Sequence, residues 1–246
     1  MNNNQATISK MHGMRMNGMA RAFQTTIETG IQSQFTIDEL LAHLIDAEWD
    51  DRNFRKRERL RKAANFRYQA SFEELDFTLN RNLDKNQILR FSDCGWIKEH
   101  RDILITGPTG VGKSFLGSAL GTLACDHGFK VYYQLAGRLL GTLKEAKSNG
   151  SYLKVLSRIM KNDVLIFEDF GLSPFDEEGR LALLDILEDR HGRKSTIFLS
   201  QLPVASWHGI IGDSTIADAI MDRIVYGAFR IELKGESIRK KMYQNK

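Results

Sequence analysis

Proline is nearly missing from this chain: three residues in 246, Pro108, Pro174 and Pro203, and none in the first hundred. That leaves the first segment free of helix breakers, and its Leu, Arg, Glu and Ala favour helix. Cysteine is scarcer still. Cys94 and Cys125 share no CxxC spacing, which argues against a disulfide framework or a thiolate metal cluster and for a reduced, cytoplasmic setting. Apolar runs such as Val164 to Phe167 fall far short of the roughly 18 residues of a membrane span. The polar start, Met1 to Thr7, lacks the charged head and apolar stretch of a signal peptide. A large excess of one charge is absent too: 35 Lys and Arg against 31 Asp and Glu give +4, a mild bias toward a polyanionic partner. What is present, 42% hydrophobic residues, suffices for one large buried core or two small ones.

The organisation changes near residue 76. Upstream, Thr36-Ile37-Asp38-Glu39 fits a capping box, with Phe35 and Leu40 at the staple positions, so a long helix is expected to start there. Leu40, Leu41, Leu44 and Ile45 recur at helical spacing. Then Arg52, Arg55, Lys56, Arg57, Arg59, Arg61, Lys62 and Arg67 follow, opposed only by Glu58. This densest positive stretch reads either as a solvated helix face or as a polyanion contact. Its aromatics Trp49, Phe54, Phe66 and Tyr68 are expected to pack on neighbouring helices. Beyond residue 100, β-rich runs at Ile103 to Thr106, Val131 to Tyr133, Val164 to Phe167 and Thr196 to Leu199 alternate with helical stretches. Such runs suit a parallel sheet covered on both faces, an α/β core. The expected division is a helical domain over 1–75 and a nucleotide-binding domain over 76–246.

Chemistry concentrates at Gly107-Pro108-Thr109-Gly110-Val111-Gly112-Lys113-Ser114, which satisfies G-x-x-x-x-G-K-[ST]. It follows an apolar strand and opens a helix at Phe115, the two contexts that a phosphate-binding loop requires. Glycines let backbone N–H groups wrap phosphate, and the helix N-terminus adds a favourable dipole. Lys113 is expected on the β- and γ-phosphates and Ser114 on Mg²⁺. Such a loop calls for an acid at the end of a neighbouring strand, and Glu168 and Asp169 end the run from Val164. Adjacent carboxylates point differently, so Glu168 is assigned to the metal and Asp169 to the attacking water. Gln201, at the end of a further strand, is a candidate sensor of the γ-phosphate.

These motifs in this order resemble the AAA+ branch of P-loop ATPases, and the wider sequence resembles the IstB-like ATP-binding proteins, transposition helpers of IstA/IstB-type insertion sequences. The carriers are Gly18-Met19-Ala20, Ala47-Glu48-Trp49, the phosphate loop, Phe170-Gly171-Leu172, Ser200 to Val204, Trp207, Ile216 to Arg223, Ile231 to Ser237 and Arg239-Lys240. The resemblance implies an AAA+ core after a small all-α domain, without a separate C-terminal lid. It further implies an ATP- and Mg²⁺-dependent homo-oligomer that binds and remodels double-stranded DNA and recruits an IstA-type transposase. Arg223 falls where related proteins carry an arginine finger, with Arg230 and Arg239 as weaker candidates for phosphate sensing. Relatives usually have Asp where this chain has Glu168. The extra methylene adds about 1.5 Å of reach, which would either slow hydrolysis or be absorbed by a water. A DnaC-like helicase loader, a P-loop small-molecule kinase and a non-hydrolysing scaffold are the competing functions. For DNA, the second candidate stretch is Lys144, Lys147, Lys154, Arg158 and Lys161.

Overall fold

Residues 3–238 and 240 are described by a computed structural model, and they form two compact units, Met1–Arg59 and Leu60–Lys246. The first contains helices α1 (Asn3–Gly13), α2 (Asn17–Thr29) and most of α3 (Ile37–Ala64). The capping box forms as expected. Thr36 N–H donates to Glu39 at 2.8 Å and Glu39 N–H donates to Thr36 Oγ1 at 3.3 Å, while Phe35 stacks on His43. Two of the sequence segments that carry the family resemblance meet here. The buried Glu48 carboxylate accepts the backbone N–H groups of Gly18 and Met19 at the open start of α2, at 2.8 and 3.2 Å, satisfying donors that a helix N-terminus leaves orphaned. Gly18 is required because a Cβ there would lie 2.3 Å from the Ala47 carbonyl oxygen.

The second unit continues with α4 (Lys85–Leu89), α5 (Gly95–Lys98), β1 (Ile103–Thr106), α6 (Lys113–Asp126), β2 (Val131–Leu135), α7 (Ala136–Ser148), α8 (Tyr152–Met160) and β3 (Val164–Glu168). It closes with α9 (Glu177–Arg190), β4 (Ser195–Ser200), α10 (Trp207–Ile211), α11 (Ser214–Val225) and β5 (Phe229–Glu232). The sheet is wholly parallel with strand order β2-β3-β4-β1-β5. Alternation along each strand feeds two cores. Ile103, Ile105, Ile166, Ile197 and Leu199 face a core with Leu116 and Leu120 of α6, whereas Leu104, Leu165, Phe167 and Phe198 face one with α7, α9 and α11.

Two expectations change. The units divide at residue 59 rather than 75, because Ala64, Ala70, Leu75, Leu83, Ile88, Phe91 and Trp96 enter the α6-side core. Phe66 and Tyr68 pack on that core as expected, but Trp49 and Phe54 are 66% and 58% exposed.

Candidate nucleotide site

The site lies at the carboxyl ends of β1, β3 and β4, where an open parallel sheet places its ligand crevice. Between β1 and α6 the loop from Gly107 to Ser114 turns sharply, and Lys113 Nζ donates to the carbonyls of Gly107 and Pro108 at 2.7 and 2.8 Å. Val111 is buried and fixes the loop to the core. Gly107 and Gly112 do more than bend the chain. Both have positive φ, and added Cβ atoms would come within 2.2 Å of the Leu233 carbonyl oxygen and 2.6 Å of Arg81 Nη1 respectively. The loop is therefore clasped between the segment after β5 and Arg81. Ile238 N–H completes the clasp by donating to Gly110 O at 2.9 Å.

Glu168, 2% exposed at the end of β3, is brought directly to Ser114, whose hydroxyl donates to its Oε1. Two oxygen donors held together at the start of α6 are the donor set that Mg²⁺ favours, so Ser114 and Glu168 fit the assigned metal position. Glu168 also accepts from Tyr133 at 2.5 Å and from Arg67 at 2.9 Å. The Glu168 carboxylate raises the pKa of Arg67, and burial, with that carboxylate beside it, raises that of the Tyr133 phenol. Asp169 departs sideways with φ +56°, a left-handed conformation that costs a non-glycine residue about 1 kcal/mol. Its carboxylate accepts from Gln201 Nε2 at 3.4 Å, and Gln201 Oε1 accepts from Thr109 of the loop at 2.7 Å. Gln201 thus joins the loop to the second acid.

Alongside the loop lies a cavity of about 380 Å³ walled by Tyr68, Leu79, Arg81, Phe115 and Ile238. Its flat apolar sides and proximity to Lys113 suit a nucleotide base and sugar. Arg81 is 5% exposed and its pKa is lowered by burial, against the pull of Asp76. Its Nε is buried and has no hydrogen-bond partner among the described residues. Sequence reasoning identified Phe115 here and missed Tyr68, Leu79, Arg81 and Ile238. None carries a motif, and all reach the pocket through tertiary packing.

Other expected residues lie elsewhere. Arg223, near the end of α11, pairs with Glu188 of α9, and its Nη1 donates to the Ala219 carbonyl at 2.6 Å. Within one chain its partners are therefore outside the loop. Arg230 is exposed on β5, and Arg239 lies outside the described residues. Of the basic stretch, helix ends at Ala64; Arg61 pairs with Asp126 and Arg67 turns in to Glu168. In the second stretch Lys144 is taken by Asp176 and Glu178.

The IstB-like ATP binding protein family model matches residues 9–246. An insertion sequence ATP-binding protein of Sinorhizobium fredii is 43% identical over 234 residues, covering 95% of this chain and 96% of that protein. Among solved structures, DnaI superposes with a TM-score of 0.58 at 22% identity, covering 67% of this chain and 91% of that one. The DnaC helicase loader superposes at 0.53 and 19% identity, covering 72% and 99%. The chain belongs to the IstB-like ATP-binding family, and it is an ATP-binding AAA+ protein with a P-loop fold.

Proposed function

We propose that this IstB-like protein is a Mg²⁺-dependent ATPase that assembles on double-stranded DNA and delivers the bound target to a partner transposase. The observation that carries the reading is the meeting of Ser114 of the phosphate loop with Glu168 of β3, in a chain whose relatives belong to insertion sequences. Lys113 neutralises the β- and γ-phosphates, and Ser114 and Glu168 hold the metal, which offsets charge on the transferred phosphoryl group. Asp169, oriented by Gln201, takes the attacking water. Its link through Gln201 to Thr109 makes that orientation sensitive to the loop's occupant.

Arg223 acts in trans in this reading. Release from its Glu188 partner would free a guanidinium at the end of α11 for the γ-phosphate on a neighbouring subunit. For DNA the favoured surface is in the helical unit, where Arg15, Arg52, Arg55, Lys56 and Arg59 line an open cleft of about 480 Å³. Clustered cations without a recognition motif fit backbone contacts that release counterions and read no sequence.

The resemblance of the core to DnaI and to the DnaC helicase loader favours one alternative, a loader that passes a helicase to DNA. Electron micrographs of the protein with DNA, with and without ATP, test assembly. Pull-downs against the transposase and the helicase of the same cell then separate the two partners. ATP-independent particles identical in both conditions would end the assembly reading.

A further inference from the structure

Glu168 is a buried carboxylate, and burying such a group is costly unless its oxygens are hydrogen-bonded and paired. The three donors described above are not equivalent. Tyr133 is 4% exposed, and its ring meets Phe66 edge to face at 6.1 Å, so its hydroxyl is held on Oε2 by packing. Ser114 belongs to the backbone turn that opens α6. Arg67 is different: it follows the end of α3 by three residues, in a stretch without regular structure, and its side chain is 45% exposed. It lies on the wall of an open cavity of about 450 Å³ that also takes in Asn65, Gln134, Arg138 and Asp169. Room to withdraw is therefore beside it.

The oxygen it holds matters most. Arg67 Nη1 and the Ser114 hydroxyl share Oε1, the oxygen turned toward the proposed metal position. A guanidinium and a divalent cation on one oxygen of a carboxylate that is itself 2% exposed repel each other. Tyr133, neutral and on the other oxygen, meets no such conflict.

We propose that Arg67 is the resident counter-ion of Glu168 in the metal-free protein, and that it yields Oε1 as Mg²⁺ enters with the nucleotide. It is a positioning residue: it holds Oε1 of Glu168 aimed beside Ser114, and sets how much Mg²⁺ the site requires. The inference rests on the Ser114–Glu168 reading of the metal position and assigns a role to a residue whose neighbours in sequence look like a polyanion contact.

The test is binding of a fluorescent ADP analogue, first in EDTA and then along a Mg²⁺ titration, for the parent, Arg67→Gln and Arg67→Lys. Removing the competing charge should lower the half-saturating Mg²⁺ about tenfold in Arg67→Gln, the worth of roughly one hydrogen bond to a charged group at the weak end of its range. Arg67→Lys should stay near the parent, and in EDTA the affinity of Arg67→Gln should not exceed the parent's, because Glu168 then stands uncompensated beside the phosphate loop. A half-saturating Mg²⁺ equal to or above the parent's in Arg67→Gln overturns the proposal. Absence of binding in every condition instead ends the nucleotide-site reading itself. Should Arg67→Gln fail to fold, phenylglyoxal labelling of the unmodified protein decides. Arg67 should react faster with ADP and Mg²⁺ than with ADP and EDTA, as read by peptide mass spectrometry, and an equal or slower rate overturns the proposal.

Discussion

The helical unit and the sheet unit handle charge in opposite ways. Along α3, residues 37–51 carry six acids and no Lys or Arg, and residues 52–64 carry seven bases and one acid. This segregation complements the helix dipole at both ends. Its buried Glu48 and half-buried Asp51 are matched by cations one turn away or on α2: Arg52 to Glu48, and Arg55 and Arg21 to Asp51. In the sheet unit the partners of the buried Glu168 come from distant segments, and Asp102 has hardly any. Glu168 draws on residues 67 and 133. Asp102 receives the Thr196 N–H at 2.6 Å with no ion pair among the described residues. In the helical unit burial pushes Glu48 and Asp51 up, but their arginines, and the α2 amides for Glu48, outweigh it and hold both below ordinary values. For Asp102 burial wins over Thr196 and Arg190, and its pKa is pushed up to about 7.

The sharpest way to break one side of this comparison alone is Lys113→Ala. It should weaken nucleotide binding by about a hundredfold or more, since the variant removes a charge-assisted hydrogen bond to phosphate at a site that desolvates it. Amide exchange in Met1–Arg59 should be unchanged. Calorimetric titration with ATP and Mg²⁺ checks the first part, and near-parent affinity would remove Lys113 from the site.

Glu48→Ala should do the reverse. Stranding the amides of Gly18 and Met19 costs about 2–3 kcal/mol, visible as faster amide exchange in α2 and α3, while nucleotide affinity holds.

Acid titration sharpens the contrast further. The folded pKa of Glu48 and Asp51 lies below their unfolded values of 4.5 and 3.8, so their contribution is complete above those values and is lost as pH falls through the folded ones. Asp102 has the opposite sign. Its folded pKa exceeds the unfolded 3.8, so its contribution is complete below about pH 4 and is lost as pH rises through about 7. Asp102→Asn should therefore flatten stability against pH across that window, removing a slope of at most about 1.4 kcal/mol per pH unit. Denaturant melts at several pH values read it, and an unchanged slope would show Asp102 to be ionised in the fold.

The smallest effect expected is in the cleft of the helical unit. Neutralising Lys56 and Arg59, which pair with no acid among the described residues, should lower the slope of log DNA affinity against log salt. The decrease should be roughly 0.9 for each phosphate that either cation neutralises in the parent. Arg55, already engaged by Asp51, should contribute less. An unchanged slope returns this face to solvent.

Much of the architecture was legible. The β-rich runs match β1 to β4 within two residues at their ends, and the capping box and the phosphate loop lie where their local patterns put them. Less legible was which apolar residues would be covered. Leu44 is buried, whereas Leu41 and Ile45, equally periodic, are about half exposed, because periodicity defines a face and not what packs on it. The basic stretch likewise read as one surface, yet the fold sends Arg61 to Asp126 and Arg67 to Glu168.

From its sequence alone this protein had its helix starts, its strands, the phosphate loop and the acid pair after β3, because each is encoded by residues within about eight positions and obeys local sterics and hydrogen bonding. Only the tertiary structure decided which residues pair with Glu168, what walls the cavity beside the phosphate loop and where the two units divide. The partners involved are separated by 101 residues for Arg67 and Glu168 and by 35 for Tyr133 and Glu168. A buried charge selects its counter-ion by proximity in the packed core, and no local pattern records which distant residue the chain will bring there.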